Sequence, residues 1–188
     1  MTNVYPRTMA KYDPSHDAYH VQRVRKTALA LARDVSADPL TFFTPFFESV
    51  RGHVDLFKND RAVLIAKIVN NVSWSTEKKL RAEGAITTWH ESCVELHCVQ
   101  DADRLDAIGA FGIMRCAAFS CTANRPLYVP SQDPAFEQSA VGHFHDKLLK
   151  IKERLKTEMG KKLGEERHKY MISFLNALES EYNWLEGQ

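Results

Sequence analysis

Apolar residues recur at helical spacing along most of this chain. His20, Val24, Ala28 and Leu31 share one face of a first helix, which the pattern runs from near Asp13 to about Val35. Asp13 suits its cap, Pro14 its first position and Asp17 its first turn. His20 is the polar member of that inward stripe, and His16 lies one turn earlier, nearer the solvent-facing end. A second helix resumes near Asp60, capped by Asn59 or Asp60, with Leu64, Ile65, Ile68, Val69 and Val72 as its apolar face. Residues 73–89 combine a short helix with a turn at Gly84. The segment QDADRLDAIGAFGIMR (100–115) reads as a helix ending near Ser120, in which Asp101, Leu105, Ile108 and Gly112 fall on one face. Residues 121–138 hold three prolines among turn formers and read as a loop. Val141, Phe144, Leu148, Ile151 and Leu155 define a further helix, stopped by Gly160. Leu163, Tyr170, Phe174, Leu178 and Leu185 define the last. Only short segments could be strands, so the pattern predicts an all-α protein.

One stretch breaks the periodicity. Residues 36–59 carry Phe42, Phe43, Phe46 and Phe47 together with Pro39 and Pro45, and fit neither a helix nor a strand. They read as a connector. At 188 residues the chain suits a single domain, 1–188, whose C-terminal part (137–188) is helical. It is 44% hydrophobic, enough for a real core. The 25 basic and 24 acidic side chains leave a formal charge of +1, which gives no footprint for nucleic acid or an anionic membrane. No apolar run approaches the roughly 20 residues of a membrane span. The start, MTNVYPRTMAKYD, has no signal-peptide apolar core. Cys93, Cys98, Cys116 and Cys121 make no CxxC pair and read as reduced thiols of a cytoplasmic protein.

The candidate chemistry starts from Asp101, a carboxylate on a core-facing stripe. Such a group needs an arginine, a histidine or a metal ion, because an isolated buried charge is costly. His20 occupies the equivalent stripe of its own helix. If the two helices pack face to face, His20 and Asp101 form a hydrogen-bonded pair or hold a metal between them. Alternatively, Asp101 pairs with Arg104 or Arg23.

HDAYHVQRV (16–24) and QDADRLDAIGAFGIMR (100–115) resemble the first and last motifs of the HD-domain superfamily of metal-dependent phosphohydrolases, in particular its small stand-alone members. IVNNVSWS (68–75), RPLYVP (125–130), HFHDKLLKIKERLKTEMGKKL (143–163) and ERHKYMISFL (166–175) extend the resemblance over most of the chain. It implies a helical bundle binding one divalent ion (manganese, cobalt, nickel, iron or magnesium) through a first histidine, an adjacent His-Asp pair and a distant aspartate. Carried over by motif, the metal ligands are His20 and Asp101, with Asp101 and Arg104 in the catalytic group. Arg23, Asp103 and Asp106 would touch substrate or support the ligands, and Lys147 and Arg125 are candidate phosphate contacts. The implied partner is a small phosphate-containing substrate such as a nucleotide.

The chain departs from the family in one place. A helix of the form LLHD should follow the first helix, yet LARDVSADPL runs directly into TFFTPFFESV. His16-Asp17 belongs to the first motif, and His145-Asp146 sits where the resemblance assigns no metal role. His53 and Asp55 are the nearest substitutes, but they are one residue too far apart. The reading is an internal deletion that removes a core helix and two of four ligands. Two functions stay open: a phosphohydrolase with an incomplete metal site, or a catalytically inactive helical relative with a structural or partner-binding role.

Overall fold

The structure, a computed structural model, describes residues 18–34 and 61–184. Those residues are all-helical. In chain order the helices are α1 (Ala18–Asp34), α2 (Arg61–Asn71), α3 (Trp74–Ala82), α4 (Thr88–Ser92), α5 (Val94–Asp106), α6 (Gly109–Thr122), α7 (Ala140–Asp146) and α8 (Glu158–Tyr182). Short 3-10 segments at Phe136–Gln138 and Leu148–Arg154 flank α7. The expected caps at Asp13 and Asn59 or Asp60, the Phe42–Phe47 stretch, His16, His53, Asp55 and Leu185 lie outside the described residues.

Local chemistry explains three of the helix starts. Ser73, Ser139 and Thr157 cap α3, α7 and α8, each accepting a backbone N–H three residues on, from Thr76, Gly142 and Gly160. Gly84, at φ +65°, makes the turn after α3. The Val141, Phe144, Leu148, Ile151 and Leu155 stripe is buried throughout. Its carrier is α7 followed by a 3-10 segment, not one helix. Gly160 does not stop it either. It lies in the first turn of α8, where a Cβ would come within 2.5 Å of Asp101 Oδ2 and 2.6 Å of Thr157 Oγ1. Val69 and Tyr170, placed on inward faces by spacing, are exposed.

The aspartate helix is likewise two helices. α5 ends at Asp106 and α6 begins at Gly109, with a bend of 68° between them. Gly109 adopts φ +74°, a backbone region that an L side chain enters at a cost. The carbonyls left over at the end of α5 are met by arginines: Arg167 donates to Leu105 O, and Arg115 Nη1 to Asp106 O at 3.1 Å. The core forms where α1 lies along α5, with α7, the second 3-10 segment and α8 closing around them. Leu31, Leu105, Ile108, Phe144, Ile151 and Met171 are among its members. A smaller cluster joins Ile68, Cys93 and Leu96.

Candidate metal and phosphate site

An α-helix turns about 100° per residue, so the three aspartates of α5 do not share a face. Asp103 and Asp106, three apart, lie together, and both point well away from Asp101. α1 packs on the Asp103–Asp106 side. His20 Nδ1 lies 2.6 Å from Asp106 Oδ2, and His20 Nε2 lies 3.9 Å from Asp103 Oδ1. His20 and Asp101 are therefore not brought together, because their stripes face different neighbours. That spacing was legible in the sequence: the i, i+3 pair Asp103 and Asp106 was the one able to meet a single partner.

Asp106 is nearly fully buried and accepts from four directions. Arg23 Nε donates to Oδ1 at 2.7 Å and Arg23 Nη2 to Oδ2 at 3.3 Å. Arg115 Nη1 donates to Oδ2 at 3.0 Å, and the fourth donor is His20. Burial alone would raise the Asp106 pKa, but the hydrogen bonds and charge of His20 and Arg23 outweigh it and hold the carboxyl below its ordinary value. An ionised carboxylate only accepts, so His20 carries a proton on Nδ1, and Nε2 is the ring atom turned toward Asp103. Asp103 itself is 43% exposed. Arg115 was missing from the sequence reading. Its place nine residues past Asp106 becomes informative only once the α5–α6 bend is known.

Asp101 has a different task. It is fully buried and accepts the Lys156 N–H at 3.0 Å, the Thr157 N–H at 2.7 Å and the Thr157 hydroxyl at 2.8 Å. It thus binds the chain entering α8 and the N-terminus of that helix. Burial pushes its pKa up, against the pull of the Thr157 and Lys156 hydrogen bonds and the Arg104 charge. No hydrogen bond joins it to Arg104 or Arg23. The missed partner, Thr157, carried a signal: a Thr followed by Glu158 marks a helix start.

Arg104 is also buried, on the flank of α5 turned away from His20. It pairs with Glu77 of α3, donates Nη1 to Arg154 O at 2.7 Å and lies over the Trp74 ring. Glu77 additionally takes Arg81 at 2.8 Å. Lys156 Nζ donates to Gln100 Oε1 at 2.6 Å, and Gln100 Nε2 to Asn71 O at 2.8 Å. This network ties α2, α3, α5 and the start of α8 together, and among the described residues no hydrogen bond links it to the His20 cluster. Arg125 and Lys147 meet elsewhere again. Arg125 lies over Phe119, and, after burial, the charges of Lys147 and Arg125 help lower the His143 pKa.

His20 and Asp103 fit a divalent ion in part. Metal–nitrogen and metal–oxygen bonds of about 2.0–2.2 Å let one ion bridge their separation. The His20–Asp106 hydrogen bond is the support that metal-binding imidazoles ordinarily have. Among the described residues, no group of three or more His, Cys, Asp or Glu side chains could hold a metal.

No family model matches the chain. It is, however, 30% identical over 194 residues to the Bacillus subtilis protein YpgQ, taking in 92% of this chain and 87% of the relative. It is also similar to the crystal structure of an HD-superfamily hydrolase from Bacillus thuringiensis, with a TM-score of 0.59 and 29% identity over 89% of this chain and 87% of that one. The chain belongs to the HD superfamily. The crystal structure of B. subtilis YpgQ in complex with ADP shares the fold, with a TM-score of 0.69 and 24% identity over 94% of this chain and 95% of that one. The YpgQ match spans 194 positions, more than the whole length of this 188-residue chain, so YpgQ has positions within it that lack a counterpart here. Among the described residues, no single helix of this HD-superfamily chain is long and apolar enough to cross a membrane.

Proposed function

We propose that this chain keeps half of a divalent-metal site, His20 and Asp103, and acts on or binds a phosphate ester of the nucleotide class. The His20–Asp106–Arg23 arrangement carries this reading. Asp106 fixes the tautomer and direction of His20, and Arg23 and Arg115 hold Asp106 ionised, so the imidazole is oriented before any ligand arrives. When bound, a divalent ion lowers the pKa of its water and stabilises charge on phosphoryl oxygens. The chain's own part is to present Nε2 and the half-exposed Asp103 carboxylate toward the same point. The ADP complex of YpgQ supports a nucleotide as the ligand.

A second reading, an HD-fold protein that binds without hydrolysing, is favoured by one observation. The sequence lacks the LLHD helix that the family resemblance implies after the first helix. Manganese titration followed by electron paramagnetic resonance tests the metal half. Near one equivalent binds, and both His20→Ala and Asp103→Ala abolish it, whereas no binding in the parent protein refutes the reading. Release of phosphate or pyrophosphate across a nucleotide panel then separates hydrolase from binder. Inserting an LLHD-type helix between Ser36 and Ala37 should tighten metal binding, and failure to do so sinks the deletion account.

A further inference from the structure

A groove of about 520 Å³ runs between α1 and α6, directly behind Asp106. Each helix gives it one face at i, i+3, i+4, i+7 spacing: Tyr19, Gln22, Arg23 and Lys26 from α1, and Phe111, Met114, Arg115 and Ala118 from α6. Its size lies in the range of small-molecule sites, roughly 300–1,000 Å³. Among the described residues its charged lining is all basic. Its apolar lining is unusually open, with Tyr19 67%, Phe111 51% and Met114 68% exposed. Arg23 stacks on one face of Phe111 at 4.3 Å, which orients the ring. Arg23 and Arg115 also hold Asp106, which holds His20, so the groove and the half-site share a wall.

We infer that this groove seats a nucleoside phosphate, with its base against Phe111 and Tyr19 and a phosphate on Lys26. Rings with exposed faces suit a base, because every base has a π-face. A lysine at the rim suits a phosphate as a point charge. An apolar peptide would not need the all-basic lining, and inorganic phosphate would not need the rings. The inference deepens the nucleotide part of the proposed function, yet it does not depend on the metal: the groove residues bind without it.

Calorimetric titration of the full-length protein with ADP in excess EDTA tests this. The expected result is binding that Phe111→Ala weakens at least about five-fold and Lys26→Glu at least as much. Lys161→Ala, at an exposed position of α8, should leave metal-free affinity within about two-fold, since it does not line the groove. Adenosine binding should respond to Phe111→Ala and not to Lys26→Glu, and pyrophosphate binding the reverse. Absence of ADP binding up to about 1 mM overturns the inference, as does binding that neither groove variant changes. A measurement on the unmutated protein covers variants that fail to fold: the Met114 methyl resonance should move during the ADP titration, and a static one overturns the inference. Loss of manganese binding alone would refute the metal reading and leave the groove standing.

Discussion

Asp101→Ala separates a structural anchor from a metal ligand. The carboxylate it removes accepts two backbone N–H groups and one hydroxyl, all at 2.7–3.0 Å in a fully buried position. Thr157 Oγ1 keeps a second role, accepting from Gly160 N, so the main loss falls on the Lys156 and Thr157 N–H groups. Each buried donor left without a partner costs about 1–3 kcal/mol, and the start of α8 loses its negative charge as well. The sum is about 3–5 kcal/mol, comparable to breaking a buried ion pair and a large part of a total stability of about 5–15 kcal/mol. In urea, with a slope of about 2–3 kcal/mol per molar, the midpoint should fall by about 1–2 M. Asp103→Ala, at a half-exposed site, should change stability by less than about 1 kcal/mol while abolishing manganese binding. The reverse pattern would refute the reasoning: a stable Asp101→Ala protein that no longer binds metal, with Asp103→Ala binding normally, would make Asp101 the ligand.

Asp106→Asn should lower metal affinity about 10- to 100-fold by manganese titration, since an amide can no longer dictate the Nδ1–H tautomer of His20; unchanged affinity would remove Asp106 from the site. Glu77→Gln should flatten the acid limb of the stability curve. Burial alone would raise the Glu77 pKa, but the Arg104 charge and the Arg81 hydrogen bonds bring it below its ordinary 4.5. Its contribution is therefore present above that value and lost as pH falls through the lower folded pKa. Urea midpoints of parent and variant should converge as the pH falls below 4.5, and a constant difference would count against the pair. Gly109→Ala should cost about 1–2 kcal/mol from the left-handed backbone alone, and more because its Cβ would meet Arg167 Cγ at 2.9 Å; a midpoint equal to the parent's would show that the bend relaxes.

Periodicity located the core better than it located the elements. The five residues from Val141 to Leu155 are buried as a stripe although the helix under them changes type at Lys147, because burial depends on which way side chains face and only weakly on continuous hydrogen bonding. The separation of Asp101 from His20 follows the same rule. Spacing assigned Asp101 correctly to a buried face, but it carries no information about which neighbour covers that face. His20 and Asp101 both lie on inward stripes, yet Asp101 faces the start of α8 and His20 faces the Asp103–Asp106 side of α5. The clues that were legible were chemical: the i, i+3 relation of Asp103 to Asp106, and a Thr-Glu helix start at 157. The contacts of Arg104 with Glu77, 27 residues away, and of Arg167 with Leu105, 62 away, had no local signature at all.

That last contact sets an order of events. α5 carries both aspartates that face His20, and its terminal carbonyls are closed by Arg115 and by Arg167 of α8. During synthesis, at about 5–20 residues per second, α1 and α5 leave the ribosome seconds before Arg167 exists. Asp101 waits as well, since the backbone it anchors begins at Lys156. The half-site is thus written early in the chain and fastened late, so a stop codon between α5 and α8 would leave its residues translated but unassembled.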